Sequence, residues 1–74
     1  MTELTIACDI PEWSHVDVTL FDTHGKQVRT LYTGYHDAGL LTVTEGIQDL
    51  RPGLYLCRVW SRYYRGSAKF LVVR

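Results

Sequence analysis

The chain has 74 residues, a formal net charge of zero and 46% hydrophobic residues. This length predicts a single domain over residues 1–74 with a thin core, because so short a chain buries only about 60% of its unfolded surface. The hydrophobic fraction excludes a disordered chain, and no apolar run approaches the roughly 20 residues of a membrane-spanning helix. Asparagine is absent, which excludes N-linked glycosylation.

Two alternating segments begin the chain. Residues 5–10 alternate apolar with polar or small side chains, and in residues 16–21 Val16, Val18 and Leu20 alternate with Asp17, Thr19 and Phe21, which is the period of a half-buried strand. Pro11 ends the first of them. We expect a loop over 11–15, in which Trp13 is a candidate exposed aromatic side chain.

A tight turn should follow the second strand. Asp22 stands at the first turn position and Gly25 at the last, which is typical of a type I turn, with Gly25 free to adopt positive φ. This turn predicts a hairpin into a third strand over about 27–32. A polar loop is expected over 34–39, and a short fourth strand over 40–44.

The most apolar strand follows a sharp corner at Pro52-Gly53. Before the corner we expect a connection over 45–52 with Leu50 turned inward. After it, residues 54–60 alternate, with Tyr55, Cys57 and Val59 on one face and Leu56, Arg58 and Trp60 on the other. A tyrosine two residues before a cysteine, just after a corner, is the arrangement of the tyrosine corner of immunoglobulin-like sandwiches, where the phenol bonds to backbone upstream. Such a strand is expected at the centre of its sheet.

The last part of the chain predicts a hairpin. A loop over 61–66 would connect to a sixth strand over 67–73, which could lie at a sheet edge. No segment of ten or more residues has a 3.6-residue period, so no helix is expected. The fold class predicted is all-β, an Ig-like (fibronectin III-like) antiparallel β-sandwich of about six or seven strands.

Several of these segments together resemble a known family. The residues concerned are Ile6 to Pro11, Val16 to Asp22, Gly25 to Leu31, a strand led by Gly39, Pro52 to Tyr55, and Lys69 to Arg74. In this order they look like the Ig-like C-terminal sorting module of type IX secretion cargo, and are similar also to the Ig-like domain of flagellar hook-capping proteins. The resemblance covers nearly the whole chain, and its most specific parts are the stretches 21–31 and 52–55.

The resemblance implies an Ig-like sandwich without enzymatic activity. In the sorting modules it implies an export address that is read by translocon components. We therefore expect either an excised secretion-sorting domain, located in the cell envelope or secreted, or, if Met1 is the natural start, a small accessory subunit of a larger assembly on the cytoplasmic side.

Cys8 and Cys57 are expected on the inward faces of the first and fifth strands. Immunoglobulin domains use this relation for an inter-sheet disulfide. Closing a loop of about 50 residues would add roughly 4 kcal/mol in the chain-entropy model. The alternative is a pair of buried thiols that act as small hydrophobic groups.

The candidate binding surface is the last hairpin together with the first loop. Tryptophan, tyrosine and arginine dominate binding hot spots, because each buries a large area and still offers polar bonds. The candidate protein-binding residues are Trp13, Trp60, Arg62, Tyr63, Tyr64 and Arg65. Alternatively, Trp60 and Tyr64 pack over the outer sheet while the arginines are solvated, or the hairpin binds a glycan or a single-stranded nucleic acid.

Charge is divided unevenly along the chain. Residues 1–37 contain six of the eight acids, and residues 38–74 contain six of the eight Lys and Arg residues. Either the two halves interleave so that their charges pair or solvate, or the folded surface is dipolar and orients a partner. We expect a protein partner, such as a large complex, in preference to nucleic acid or a small molecule, and no membrane insertion.

No catalytic or metal-binding motif is present in the sequence. His15, His24 and His36 fall in three predicted loops, without the close spacing of a zinc site. Asp37 beside His36 has no nucleophile motif near it, and no glycine-rich phosphate loop occurs. We expect a non-enzymatic chain without a cofactor or a metal.

Overall fold

Six β-strands build the chain, in a computed structural model that describes residues 3–73. They are β1 (Glu3–Ile10), β2 (Ser14–Phe21), β3 (Gln27–His36), β4 (Gly39–Gly46), β5 (Gly53–Ser61) and β6 (Arg65–Val72). Every pairing between them is antiparallel. The described part of the chain contains no helix, and therefore none that could span a membrane. The predicted all-β architecture of six antiparallel strands is confirmed.

The strands form two facing sheets. β1 and β4 make a two-stranded sheet, and the second sheet has the order β3-β2-β5-β6. β5 lies between β2 and β6, so the central position predicted for the strand after Pro52-Gly53 is confirmed. β6 is an edge of the four-stranded sheet, as the sequence predicted.

The core lies between the sheets, and the two central strands supply most of it. Val16, Val18 and Leu20 of β2 are completely buried, because alternate residues of a strand point to the same face. The other buried apolar residues are Ile10, Leu41, Ile47, Leu50, Tyr55, Cys57, Val59 and Val72. The inward position predicted for Leu50 is therefore confirmed.

The corner before β5 is closed by Tyr55. Its buried side chain donates a hydrogen bond of 2.7 Å from the phenol oxygen to the backbone carbonyl of Arg51. The Tyr55 ring also stacks on Phe70 of β6, with 5.7 Å between ring centroids. The hydrogen bond predicted from the tyrosine-cysteine spacing is present.

The predicted turn between β2 and β3 is confirmed. The Gly25 amide donates to the Asp22 carbonyl at 3.1 Å, and Gly25 has a φ of 79°. The Asp22 carboxylate accepts from the amides of His24 and Lys26 at 2.9 and 3.0 Å. Because both amides bond to the ionised carboxylate, they lower the pKa of Asp22. The Lys26 amide makes the largest contribution.

The polar loop predicted over 34–39 is wrong. β3 continues to His36, and only residues 37 and 38 separate it from β4. Gly34 pairs with Val16, and Tyr35 pairs with His15, because β2 itself begins at Ser14 and offers backbone partners that far. The polar composition of 34–39 predicted a loop. Residues 34–36 form a strand instead, because they pair with residues 14–16 of β2.

The last hairpin is also tighter than predicted. The loop expected over 61–66 contains only residues 62–64, since Ser61 still belongs to β5 and Arg65 already belongs to β6. The Ser61 amide donates to the Tyr64 carbonyl at 2.8 Å and closes the loop. Cross-strand pairing places Trp60 directly opposite Arg65.

Candidate functional site

Arginine and aromatic side chains alternate across the outer face of the four-stranded sheet. The Arg65 guanidinium lies 3.9 Å from the centroid of the Trp60 ring, and the Arg58 guanidinium lies 5.4 Å from the same ring and 4.7 Å from the Phe21 ring. Arg58 and Trp60 share this face because they are two residues apart on β5. Each such cation-π contact at an exposed site contributes about 0.5–1 kcal/mol. The rings therefore hold these two guanidinium groups in place.

Two stacked aromatic rings lie beside these arginine and aromatic side chains. Trp13, in the loop before β2, stacks on Tyr35 of β3 with 4.5 Å between centroids and 14° between ring planes. His15 packs edge-on against Tyr35 at 5.2 Å. Both stacked rings remain 61% exposed, so an apolar surface is open to solvent. Trp13 is an exposed aromatic residue, as predicted.

The two aromatic groups enclose one depression of about 500 Å³, which we call the aromatic depression. Its main lining side chains are Trp13, His15, Tyr35, Trp60, Arg62 and Tyr63. The sequence predicted Trp13 and the last hairpin as separate candidates, and the fold brings them together. It does so because β2 lies between β3 and β5, so the same ends of β3 and β5 flank the start of β2.

Tyr35 belongs to this site, although sequence reasoning missed it. The residue fell in the predicted loop over 34–39, and a tyrosine there had no partner. The signal available was period-two alternation, since Thr33 and Tyr35 continue one exposed face of β3. Gly34 between them obscured that signal, because glycine usually weakens a strand.

The structure separates Tyr64 from the other predicted binding residues. The Tyr64 hydroxyl lies over Gly66, 2.6 Å from the place where a Cβ atom would be. Tyr64 lines a different groove, between β1 and β6, which contains Cys8 and Cys57 as well. In the same hairpin, the Arg62 guanidinium lies 5.7 Å from the centroid of the Tyr63 ring, and the Arg65 guanidinium lies over the Trp60 ring.

The basic side chains between residues 38 and 73 form no ion pair with another described residue. Within residues 3–73, the ion pairs of lysine or arginine all involve Arg29, which bonds to Glu45 and Asp49. These pairs raise the pKa of Arg29, with the Asp49 hydrogen bond contributing most. Arg29, from the acidic half of the chain, thus pairs with both acids of the basic half. The arginines on the outer face of β5, in the last hairpin and at the start of β6 are exposed and form no ion pair within the described residues.

The two cysteines lie on facing sheets, as the sequence predicted, and both are free thiols in the structure. Burial raises the pKa of Cys57 to about 11, with a smaller contribution from Cys8. Burial also raises the pKa of the half-buried Cys8, and the neighbouring Asp9 adds to the effect. Neither environment stabilises a thiolate, which is the nucleophilic form of cysteine.

The prediction that all three histidines lie in loops is wrong for His15 and His36, because β2 begins at Ser14 and β3 continues to His36. His15 lies 3.7 Å from the Asp17 carboxylate beside the aromatic depression, His24 lies in the turn, and the His36 Nδ1 atom lies 2.7 Å from the Asp37 carbonyl oxygen. Residues 3–73 contain no group of three or more His, Cys, Asp or Glu side chains that could hold a metal ion.

Comparison of the chain with protein families, with curated proteins and with solved structures finds no match in any of the three.

Proposed function

We propose that this chain is a non-catalytic protein-interaction module that docks onto a larger protein assembly through the aromatic depression. The observation that supports this proposal most directly is the convergence of Trp13, Tyr35, Trp60 and Tyr63, from three separate parts of the chain, around one concave surface. Tyrosine and tryptophan in such a position bury large apolar area on binding and lose little side-chain entropy.

The charge around the aromatic depression indicates the chemistry of the partner. Arg58 and Arg65 flank Trp60, and Arg62 lines the depression itself, against a single carboxylate, Asp17, which lies near His15. A guanidinium group held over an aromatic ring is already oriented, so it loses little entropy when it bonds to a carboxylate. We therefore favour a protein partner that presents an apolar or aromatic side chain ringed by acidic residues.

Two biological settings fit such a module. One is an Ig-like secretion-sorting domain, and the other is an Ig-like accessory subunit of a large assembly. The resemblance of stretches 21–31 and 52–55 to sorting modules and hook-capping domains supports both settings. An open reading frame that continues upstream of Met1 into a cargo domain favours the sorting domain, whereas a free-standing gene beside those of a larger complex favours the subunit.

The test is capture of the native partner with variants of the aromatic depression. The double variant Arg62→Ala, Tyr63→Ala should lose the partner and keep the fold, because both side chains are exposed. Tyr35→Ala should also lose it, although Tyr35 lies on a different strand. A matched control is Arg51→Ala, Leu54→Ala, which removes an exposed arginine and an exposed apolar side chain from the corner before β5 and from its first residues, at the opposite end of the strand.

Retention of the partner by both depression variants would remove the aromatic depression from the function. Loss with the hairpin variant alone would show that the hairpin binds without Tyr35. Equal loss with the control variant would show a general effect on folding, which circular dichroism of each variant checks independently.

A second candidate function is binding of a glycan or, less favoured, of a single-stranded nucleic acid. The stacked Trp13–Tyr35 pair presents a flat apolar face beside polar side chains of His15, Asp17 and Arg62. Aromatic faces next to hydrogen-bonding groups suit sugar rings as well as bases. Quenching of tryptophan fluorescence by a glycan panel or an oligonucleotide panel would support this candidate, and no quenching by either panel would exclude it.

A further inference from the structure

The two-stranded sheet covers only part of the four-stranded sheet. β4 contacts β3 on one side of the sandwich, and β1 is the free strand on the other side. β6 is the edge strand of the larger sheet on that side. The result is an open groove of about 300 Å³ between β1 and β6, which we call the edge groove.

One wall of the edge groove is the backbone of β1. β1 pairs with β4 over its full length, from Glu3 to Ile10, and within the described residues it has no strand on its other side. Half of its amide and carbonyl groups therefore point into the groove. An unpaired edge of eight residues is a template for an additional strand, which proteins usually cover.

The floor of the edge groove is the inner face of β6 and β5. Ala68 is directly opposite Cys57, and Gly66 is directly opposite Val59, so all four face the interior of the sandwich. Cys57 and Val59 are buried, yet Ala68 is exposed, because no strand lies over it. The Tyr64 hydroxyl already fills the space over Gly66, so Ala68 is the small residue that leaves room for an apolar side chain from outside.

The outer side chains of β1 are acidic. Glu3 and Asp9 point away from the core and are exposed, since they alternate with the inward residues of the strand. Neither forms an ion pair with another residue of the described range. A strand placed beside β1 would bring its own outer side chains within cross-strand distance of these carboxylates, and opposite charges there are favourable.

A second copy of this chain does not suit the edge groove. Antiparallel pairing of two β1 strands centred on Ile6 would place Glu3 of each copy opposite Asp9 of the other, and like charges directly opposite are destabilising. A strand of a different polypeptide avoids this repulsion when the side chains opposite Glu3 and Asp9 are basic.

We propose that the edge groove binds an extended segment of a partner polypeptide as an additional strand alongside β1. The inward side chains of this segment are apolar and pack on Ala68 and Cys57. Its outward side chains are lysine or arginine and pair with Glu3 and Asp9. Main-chain hydrogen bonds to β1 supply affinity, and the alternating side chains supply specificity.

The probe is a capped synthetic peptide that alternates valine and lysine, titrated into the native protein. The expected result is slower hydrogen exchange of those β1 amides that point away from β4, measured by NMR. Alkylation of Cys8 should also slow, because Cys8 lines the edge groove. A matched peptide that alternates valine and glutamate should bind at least about tenfold more weakly, since two attractive cross-strand pairs become repulsive.

Two pairs of variants test the wall and the floor. Glu3→Lys, Asp9→Lys should weaken the lysine peptide at least about tenfold and strengthen the glutamate peptide, on the same charge argument. Glu12→Lys makes a like change in the exposed loop outside β1 and should have no effect. Ala68→Leu should block binding by filling the floor, whereas Ser67→Leu, on the opposite face of β6, should not.

Three results would overturn the proposal. They are unchanged exchange of the β1 amides at saturating peptide, equal affinity for the lysine and glutamate peptides, and protection of β1 that rises with protein concentration without peptide, which would make a second copy the occupant. The proposal is independent of the aromatic depression. The variant Arg62→Ala, Tyr63→Ala should bind the lysine peptide normally, and Asp9→Lys should retain the partner of the aromatic depression.

Discussion

Tyr55 and Arg51 close the corner at which the chain enters its central strand, through a 2.7 Å hydrogen bond from the phenol to the Arg51 carbonyl. The tyrosine side chain is buried, so this bond is shielded from solvent on the side of the core. It connects β5 to the segment that carries the buried residues Ile47 and Leu50. The bond therefore fixes the connection that carries Ile47 and Leu50 relative to β5.

Replacement of Tyr55 by phenylalanine should lower the free energy of unfolding by about 1 kcal/mol, since the ring remains and a single hydrogen bond is lost. Urea denaturation followed by circular dichroism measures the change. Tyr63→Phe is the matched control, because its hydroxyl donates no hydrogen bond within the described residues and its side chain is half exposed. Equal stability of Tyr55→Phe and the native chain would show that the corner forms without this bond.

Arg29 joins β3 to the end of β4 and to the connection that follows it. It donates hydrogen bonds to the Glu45 carboxylate at 3.2 Å, to the Gly46 carbonyl at 2.9 Å and to the Asp49 carboxylate. Arg29→Gln should lower the free energy of unfolding by about 1–2 kcal/mol, more than a typical surface ion pair contributes, because three acceptors lose their donor together. Denaturation at low and high salt measures the loss.

Lys26→Gln is the matched control for Arg29→Gln. It removes one positive charge from the turn before the same strand, and Lys26 forms no ion pair within the described residues. A loss of stability as large for Lys26→Gln as for Arg29→Gln would show that net charge, and not the bonds of Arg29, stabilises this region.

Asp22 should make stability depend on pH at the acidic end. Its pKa is lowered in the folded state by the amides of Lys26 and His24, so the carboxylate stabilises the fold above its ordinary pKa. That contribution should disappear as the pH falls below about 4 and through the lowered folded value. Asp22→Asn retains an oxygen that accepts both amides and loses the titration.

The measurement is the urea midpoint as a function of pH from neutral to strongly acidic. The native chain should lose more stability than Asp22→Asn over the acidic range, and the two curves should be parallel above it. Curves that remain parallel throughout would show that the turn does not sense the charge of Asp22.

Alkylation should distinguish the two cysteines. Because the pKa of Cys57 is raised to about 11 and the side chain is buried, its reaction with iodoacetamide at pH 8 should be slow in the folded chain and fast in denaturant. Cys8, which is half-buried, should react first. Mass spectrometry of timed samples identifies the modified residue, and intact mass with and without reductant establishes first that both are thiols.

Cys8→Ser isolates the behaviour of Cys57 in this experiment. Its single thiol should remain resistant to iodoacetamide until the chain unfolds. Rapid alkylation of Cys57 in folded Cys8→Ser would mean that the edge groove admits the reagent to the interior.

The sequence predicted the local features of the fold, because each of them depends only on residues that are close together in the chain. Alternation over 54–60 predicted which face of β5 is buried, and the order of Asp22 and Gly25 predicted the turn. The tyrosine-cysteine spacing predicted the bond of Tyr55. Each of these signals acts within a few residues, so no knowledge of the rest of the chain was needed.

Only the tertiary structure determined which strands are neighbours and which residues of those strands lie side by side. The register of β3 on β2 extended β3 to His36 and placed Tyr35 against Trp13, which are 22 positions apart in the chain. The sheet order left β1 without a neighbour above Ala68 and so opened the edge groove. Pairing register and strand order depend on contacts between distant segments, and a period-two pattern specifies which face is buried but not which strand it meets.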